Sequence, residues 1–122
     1  MGSGAVARAI AVARRFAEVA ALPGASADRL VVVVEEWVAN IVDHGRAAPA
    51  SRVVLRLELI GAEVRMSFSD AGVPFDPRRA PDEGPNLERG GGAGLALIRG
   101  WSEIEDYRRR RGRNRLVLRS RS

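Results

Sequence analysis

The apolar stretch over residues 30–42 is the feature that most restricts how this chain can fold. It is interrupted by only three polar residues, Glu35, Glu36 and Asn40. A helix that is apolar nearly all round must be buried under other elements. Ser26 is a candidate N-cap and Gly45 a stop signal, so we predict a buried helix over 26–44.

The rest of the chain divides into one more long helix, two hairpins and a glycine-rich loop. Apolar spacings of three and four predict helices, and strict alternation predicts strands. The predicted elements are a helix over 5–21, strands over 53–59 and 64–68, a loop over 71–92, a helix over 93–100, and strands near 103–108 and 114–119. This order predicts an α+β fold, a two-layer α/β sandwich whose mostly antiparallel sheet carries the helices on one face.

Length and composition limit the class of protein. A chain of 122 residues makes a single domain over 1–122, in which we interpret residues 1–4 as a leader. No cysteine and no lysine are present, which excludes thiol catalysis, Cys-type metal sites, the P-loop lysine and Schiff-base chemistry. No signal peptide and no membrane-length apolar run are visible, so we expect a cytoplasmic protein without membrane contact.

Positive charge is concentrated at the C-terminal end, which we interpret as an Arg-rich hairpin strand over 108–122. This segment has eight arginines and no acidic residue, whereas residues 1–107 have 12 arginines against 15 acidic residues. Arg-rich ends can bind nucleic acids. The only aromatic residue near this end is Tyr107, so stacking residues are lacking and an acidic protein partner is favoured over nucleic acid.

A line of polar residues follows the predicted buried helix. Glu36, Asn40 and His44 recur at intervals of four, which places them on one side of the helix. Buried polar groups need partners, and a metal-bound phosphate could supply them. The alternative, that Glu36 and Asn40 lie at the rim of the sheet and contact water or arginine, stays open.

Asp70 is the second candidate. It has the same strand parity as Val64, Met66 and Phe68 and should point toward the helices. An inward carboxylate at that position needs a donor such as an exocyclic amine. An ordinary turn over 70–72 is the alternative.

The third candidate is the glycine-rich segment 88–95, which comes directly before a predicted helix. Glycines let backbone N–H groups approach phosphate, and a helix N-terminus favours negative charge. The segment is neither a Walker A loop nor a Rossmann fingerprint, because no Lys-Ser/Thr pair follows it and no strand precedes it.

Taken together, the three candidates resemble a known set of motifs. Glu36-x-x-x-Asn40, Asp70-x-Gly72-x-Pro74-Phe75 and Gly92-x-Gly94-Leu95 resemble the N, G1 and G2 boxes of the GHKL ATPases. Within these, the sequence is similar over residues 5–119 to the anti-sigma-factor serine kinases. The resemblance implies a Bergerat-type ATP-binding fold that binds ATP with Mg²⁺.

The resemblance also implies roles for individual residues. Asn40 would coordinate Mg²⁺, Glu36 would be the general base, and Asp70 would accept a hydrogen bond from the adenine amine while residues 77–91 form a lid over the nucleotide. The nucleotide-binding residues implied by the resemblance are Asn40, Asp43, His44, Asp70, Gly72, Pro74, Phe75, Arg89, Gly91, Gly92, Ala93, Gly94 and Leu95.

The implied activity is transfer of the ATP γ-phosphate to a serine or threonine of a STAS-domain anti-anti-sigma protein, with or without sequestration of a sigma factor. One alternative is a module that binds ATP and a protein without phosphorylating it. Another is the ATPase domain of a sensor histidine kinase, although the only histidine, His44, follows the N box. Family members usually begin with a strand before the first helix, and its absence here leaves a homodimer open.

Overall fold

The computed structural model describes residues 2–44, 53–79 and 91–120, with the side chains of residues 2, 3, 44 and 91–93 left out. Three helices and four strands form in this part of the chain. They are α1 (Gly2–Val19), α2 (Gly24–His44), β1 (Val54–Ile60), β2 (Glu63–Asp70), α3 (Gly91–Trp101), β3 (Ser102–Arg110) and β4 (Arg113–Ser120). The predicted α+β class is therefore confirmed.

The four strands form one sheet in the order β1-β2-β4-β3, and every neighbouring pair is antiparallel. Two-residue turns close both hairpins. Gly61 has a φ of +62° in the first turn, whereas Arg111 and Gly112 both have positive φ in the second. Turns of this kind match the right-handed twist of the strands they join.

The core lies between one face of the sheet and α2. Alternate residues of β2, namely Val64, Met66 and Phe68, are at most 3% exposed, and Val34 and Val38 of α2 are fully buried. The predicted burial of α2 is confirmed. Asp70 continues the same alternation and is only 6% exposed, as its strand parity predicted.

The first helix differs from its predicted bounds at both ends. It begins at Gly2, three residues before the predicted start at residue 5, so residues 2–4 of the segment interpreted as a leader are helical. Nothing in this short segment interrupts a helix as proline would. At the other end Ala21 adopts a φ of +53°, and the Leu22 N–H donates to the Ala17 carbonyl at 3.0 Å. This is the bonding of a Schellman cap, which ends the helix before Ala21.

The second helix begins two residues before the predicted Ser26. The Ala27 N–H donates to the Pro23 carbonyl at 2.8 Å, which closes a helical turn that starts at Gly24. Ser26 therefore lies inside the first turn, and its predicted role as the N-cap is wrong. The start of the helix is set by the Pro23 backbone carbonyl, and the residue types around it do not indicate this start.

A bulge in β3 changes which side chains face the core. Ile104 pairs with Leu118 and Asp106 pairs with Val117, so Glu105 is an extra residue in this strand. Beyond the bulge, Tyr107 pairs with Leu116 and therefore points toward the helices. The bulge thus brings the end of β3 into contact with the buried face of the sheet.

None of the three described helices is both long enough and apolar enough to cross a membrane.

Candidate functional site

Asn40 and Asp70 lie on the wall of one cavity, at the end of the sheet where β2 ends and β4 begins. The cavity has a volume of about 320 Å³, including space open to solvent. Its other walls are formed by α2, by the segment that follows β2, and by the β3–β4 hairpin. The lining residues are Trp37, Asn40, Ile41, Asp70, Val73, Phe75, Tyr107, Asn114 and Leu116. Two residues predicted from separate motifs are therefore brought together.

A larger space of about 1020 Å³, also partly open to solvent, lies at the opposite end of the sheet. It is surrounded by the α1–α2 turn, the β1–β2 turn and Trp101, and its walls are mostly apolar. None of the predicted site residues lines it, so the smaller cavity is the one that corresponds to the sequence motifs.

Asp70 is held in place through one of its two carboxylate oxygens. Its Oδ2 accepts hydrogen bonds from the Gly72 N–H at 2.9 Å and from Asn114 Nδ2 at 3.1 Å. The bond to Gly72 spans two residues, which is an Asx turn. The local turn and the inward carboxylate are thus both present. Among the described residues, no hydrogen bond reaches Oδ1, the second oxygen.

Asn114 is the residue at this site that the sequence motifs did not identify. It is 5% exposed, and its Nδ2 also donates to the carbonyls of Gly72 at 3.3 Å and Val73 at 2.9 Å. Its Oδ1 accepts from Tyr107 Oη at 2.5 Å and from Arg109 Nη1 at 2.9 Å. All its polar atoms are satisfied, as a buried amide requires.

The same network fixes the segment that follows β2. Tyr107 Oη accepts from the Phe75 N–H at 3.1 Å, and Arg109 Nη1 donates to the Gly72 carbonyl at 2.7 Å. Residues 72–75 are therefore attached to the β3–β4 hairpin. One signal in the sequence could have indicated Asn114, because it has the same strand parity as the buried Leu116 and Leu118.

Glu36 lies one helical turn before Asn40, against the first turn of α3. A Cβ added at Gly94 would overlap Glu36 Oε1 and would lie 3.3 Å from Glu36 Cδ. Burial, followed by the nearby charge of Glu35, raises the pKa of the Glu36 carboxyl. Gly94 is thus needed for the close approach of the two helices, and Glu36 contacts α3 without lining the cavity.

Two aromatic rings close the cavity on one side. The rings of Trp37 and Phe75 are stacked, with centroids 5.9 Å apart and an interplanar angle of 26°. Trp37 Nε1 is buried and has no hydrogen-bond partner among the described residues. The enclosed space beside them is enough for about one water molecule, so a larger ligand would need the walls of the cavity to move apart.

The remaining predicted residues are placed less closely around the cavity. Asp43 and Pro74 are exposed, Leu95 is half-buried against the core, and residues 91–93 form the first turn of α3. The side chain of His44 is not described, and Arg89 lies outside the described residues. The roles predicted for these six residues or ranges therefore stay predictions.

The start of the predicted lid over 77–91 is packed against the domain. Pro77 is fully buried, and its carbonyl accepts from Arg99 Nη2 at 2.6 Å. Asp76 forms an ion pair with Arg78 at 2.8 Å, and hydrogen bonds from Arg78 lower the pKa of the Asp76 carboxyl. Residues 80–90, the middle of the predicted lid, lie outside the described residues.

The donor set of the cavity fits a metal ion that is held partly by its substrate. In the described part of the chain, no group of three or more His, Asp or Glu residues could hold a metal ion alone. Asn40 offers one amide oxygen, a hard ligand of the kind that Mg²⁺ prefers. Mg²⁺ commonly completes its shell with water and substrate phosphates, so one protein ligand is compatible with such a site.

Comparison with known families agrees with this geometry. The family model described as the histidine kinase-like ATPase domain matches residues 3–120. The chain therefore belongs to the histidine kinase-like ATPase domain family. No curated protein matches the sequence significantly.

Solved structures similar to this chain support the fold. The blue-light activated histidine kinase of Erythrobacter litoralis EL346 matches with a TM-score of 0.60 and 20% identity, covering 81% of this chain and 31% of that one. Its histidine kinase domain matches with a TM-score of 0.55 and 22% identity, covering 78% and 44%. The histidine kinase AdeS of Acinetobacter baumannii matches with a TM-score of 0.55 and 14% identity, covering 77% and 46%. This chain thus spans less than half the length of each.

Proposed function

We propose that this domain binds Mg²⁺-ATP in the cavity between α2 and the sheet, and that it transfers the γ-phosphate to a protein. The observation that supports this proposal is that Asn40 and Asp70 line the same cavity, and that Glu36 lies one helical turn before Asn40. Asp70 Oδ2 is already held by two donors. Its Oδ1 is therefore the oxygen that would accept the exocyclic amine of adenine.

The phosphates would lie between Asn40 and the start of α3. The first backbone N–H groups of a helix have no partners within the helix and attract anions. The amide oxygen of Asn40 would hold the Mg²⁺ ion, which neutralises phosphate charge when bound. Glu36 would accept the proton of the attacking hydroxyl, because its raised pKa makes it a stronger base than an exposed carboxylate.

The position of Trp37 on the wall of the cavity gives this proposal a direct test. In a Trp101→Phe variant, Trp37 is the only tryptophan left, so its fluorescence reports on the cavity. Titration with ATP should change the fluorescence, and calorimetry should give the same Kd. Asp70→Asn should abolish the change, and Asn40→Ala should remove its dependence on Mg²⁺. Absence of both a fluorescence change and binding heat would contradict the proposal.

For the phosphate acceptor we propose a serine or threonine of a STAS-domain anti-anti-sigma protein, with or without capture of a sigma factor. The similarity of the three motifs to the anti-sigma-factor serine kinases supports this acceptor. Radiolabelled ATP should label a STAS-domain partner, and Glu36→Gln should abolish the labelling while ATP binding survives. Unchanged labelling in Glu36→Gln would remove Glu36 from the role of base.

A second candidate is the ATPase domain of a sensor kinase, which is favoured by the presence of histidine kinases among the similar structures. The stability of the labelled product separates the two candidates. A phosphoserine or phosphothreonine survives acid and is lost in alkali, whereas a phosphohistidine shows the opposite behaviour. ATP binding without any transfer would instead indicate a protein-binding module without kinase activity.

A further inference from the structure

The sheet face that points away from the core, called here the outer face, has its charges divided into two halves. Strand pairing places one group of residues near the β1–β2 turn and another near the β3–β4 turn. The first half contains Glu58, Glu63, Arg65, Glu103, Glu105 and Arg119. The second half, called here the arginine end, contains Arg56, Asp106, Arg108, Arg110, Arg113 and Arg115. The first half has four carboxylates and two guanidinium groups, whereas the arginine end has five guanidinium groups and one carboxylate.

In the first half, two arginines on neighbouring strands are bridged by one glutamate. Arg65 and Arg119 are direct cross-strand partners, and like charges in such positions repel each other. Glu105, the extra residue of the bulge, lies between them, 3.0 Å from Arg65 Nε and 3.2 Å from Arg119 Nε. This pair therefore shows how the same sheet neutralises two opposed arginines.

At the arginine end, no described acidic residue bridges Arg108 and Arg115 in this way. Arg108 is the cross-strand partner of Arg115, and Arg110 is that of Arg113. Arg108 forms an ion pair with Asp106 at 2.8 Å, whereas Arg115 has no ion-pair partner among the residues that the structure describes. Arg108, Arg110 and Arg115 are all exposed. Repulsion between Arg108 and Arg115 is thus retained at a surface that is exposed to solvent.

We infer that the arginine end is a docking surface for an acidic segment of a partner protein. Arg108 and Arg110 are two residues apart on one strand, a spacing of about 7 Å, and Arg115 lies about 5 Å from Arg108. An extended segment with carboxylates at alternate positions has the same repeat of about 7 Å. Arginine suits this contact because its planar guanidinium binds a carboxylate through two parallel hydrogen bonds.

Two observations favour an acidic protein segment over nucleic acid. The carboxylates of the first half begin two residues from Arg56 and three residues from Arg108 along the strands, about 7–10 Å away, and they would repel a phosphate backbone that crosses the sheet. The only aromatic side chain of the hairpin, Tyr107, points inward and donates to Asn114, so no base can stack on it. A short acidic segment fits within the arginine end and avoids the acidic half.

Fluorescence anisotropy with a labelled peptide tests this inference. The probe is a fluorescein-labelled peptide of about twelve residues that alternates Glu and Ser, and the same peptide with Gln in place of Glu is the reference. The double variant Arg110→Gln, Arg115→Gln should weaken binding of the acidic probe about ten-fold. The matched control is Arg14→Gln, Arg15→Gln on α1, which removes the same charge from exposed positions and should change the Kd less than about two-fold.

A stability measurement shows whether the variant is folded and whether the repulsion is real. The Tm of Arg110→Gln, Arg115→Gln should equal or exceed that of the wild type, because Arg115→Gln relieves repulsion with Arg108 and Arg110 forms no ion pair with a described residue. Equal loss of binding in the α1 control would overturn the inference, as would tighter binding of a duplex of about twelve base pairs. A wild-type dimer that the arginine variant dissociates would also overturn it, since a second copy would then occupy the surface.

Discussion

Replacement of Gly94 by alanine should displace the Glu36 carboxylate while leaving the free energy of unfolding nearly unchanged. Alanine at an interior helix position is usually about 0.5–1 kcal/mol more stable than glycine. Here the new methyl would overlap Glu36 Oε1, which must swing away. Forcing a side chain from its preferred rotamer costs about 0.5–1.5 kcal/mol. The two effects nearly cancel, so the free energy of unfolding should stay within about 1 kcal/mol of the wild type.

Gly100 supplies a matched control in the same helix. A Cβ at Gly100 would meet no atom within 4 Å, so Gly100→Ala should gain the helix preference of about 0.5–1 kcal/mol without any displacement. In a Glu36→Ala background, Gly94→Ala should become as favourable as Gly100→Ala, because the nearest remaining atom is the Glu36 Cβ at 3.6 Å. Such a difference between the two backgrounds is the mark of direct contact.

Urea denaturation of the wild type, the three single variants and the Glu36→Ala, Gly94→Ala double variant measures these differences. If Gly94→Ala stabilises the wild type as much as Gly100→Ala does, Glu36 does not occupy the space beside Gly94 and the reasoning is refuted. If the proposed role of Glu36 is also correct, Gly94→Ala should reduce phosphate transfer at least about ten-fold, since a positioned general base commonly contributes more than this. Gly100→Ala should leave transfer unchanged.

Three further predictions concern the polar network and the titrating groups. Asn114→Ala should cost about 2–3 kcal/mol in the free energy of unfolding, because it removes buried hydrogen bonds to Asp70 and its neighbours; thermal denaturation with Asn114→Ala beside wild type checks this. Glu36→Gln should be more stable than wild type at neutral pH, because the raised pKa of Glu36 in the folded state means that folding disfavours its ionised carboxyl. The advantage should vanish as the pH falls below the unfolded-state pKa, where this carboxyl is protonated in both states. A stability difference independent of pH would contradict this. Asp76→Asn should lower the free energy of unfolding by about 0.5–1 kcal/mol at neutral pH, a modest loss because Arg78 is partly exposed. The wild type should lose this advantage as the pH falls through the lowered pKa of Asp76 in the folded state. Urea titrations at neutral and acidic pH test it.

Much of the fold could be predicted because alternation and helical spacing directly report burial. The inward position of Asp70 followed from the parity of β2, and the presence of Asn40 at the cavity followed from the polar line on α2. Both inferences depend only on the regular repeat of one element. Such repeats are visible in the sequence without knowledge of neighbouring elements.

The parts of the site that could not be predicted depend on irregularities and on contacts between elements. Simple alternation from Ile104 would place Tyr107 on the outer face, but the extra residue Glu105 turns it inward to Asn114. Gly94 was interpreted as a phosphate contact, and its packing against Glu36 is visible only when α2 and α3 are placed together. That packing does not exclude a phosphate contact through the backbone, which stays a prediction.

The positions of β1 and β3 at the two ends of the sheet have a consequence for aggregation. An edge strand exposes unpaired backbone groups that can join another chain, and bulges and charged side chains protect against this. β3 has both, since it contains the bulge at Glu105 and a run of arginines at its end. β1 is regular, and Val54 and Leu59 on it are 51% and 47% exposed. In concentrated solution, we therefore expect copies to add strands through β1, and a lysine at position 59 should slow this growth.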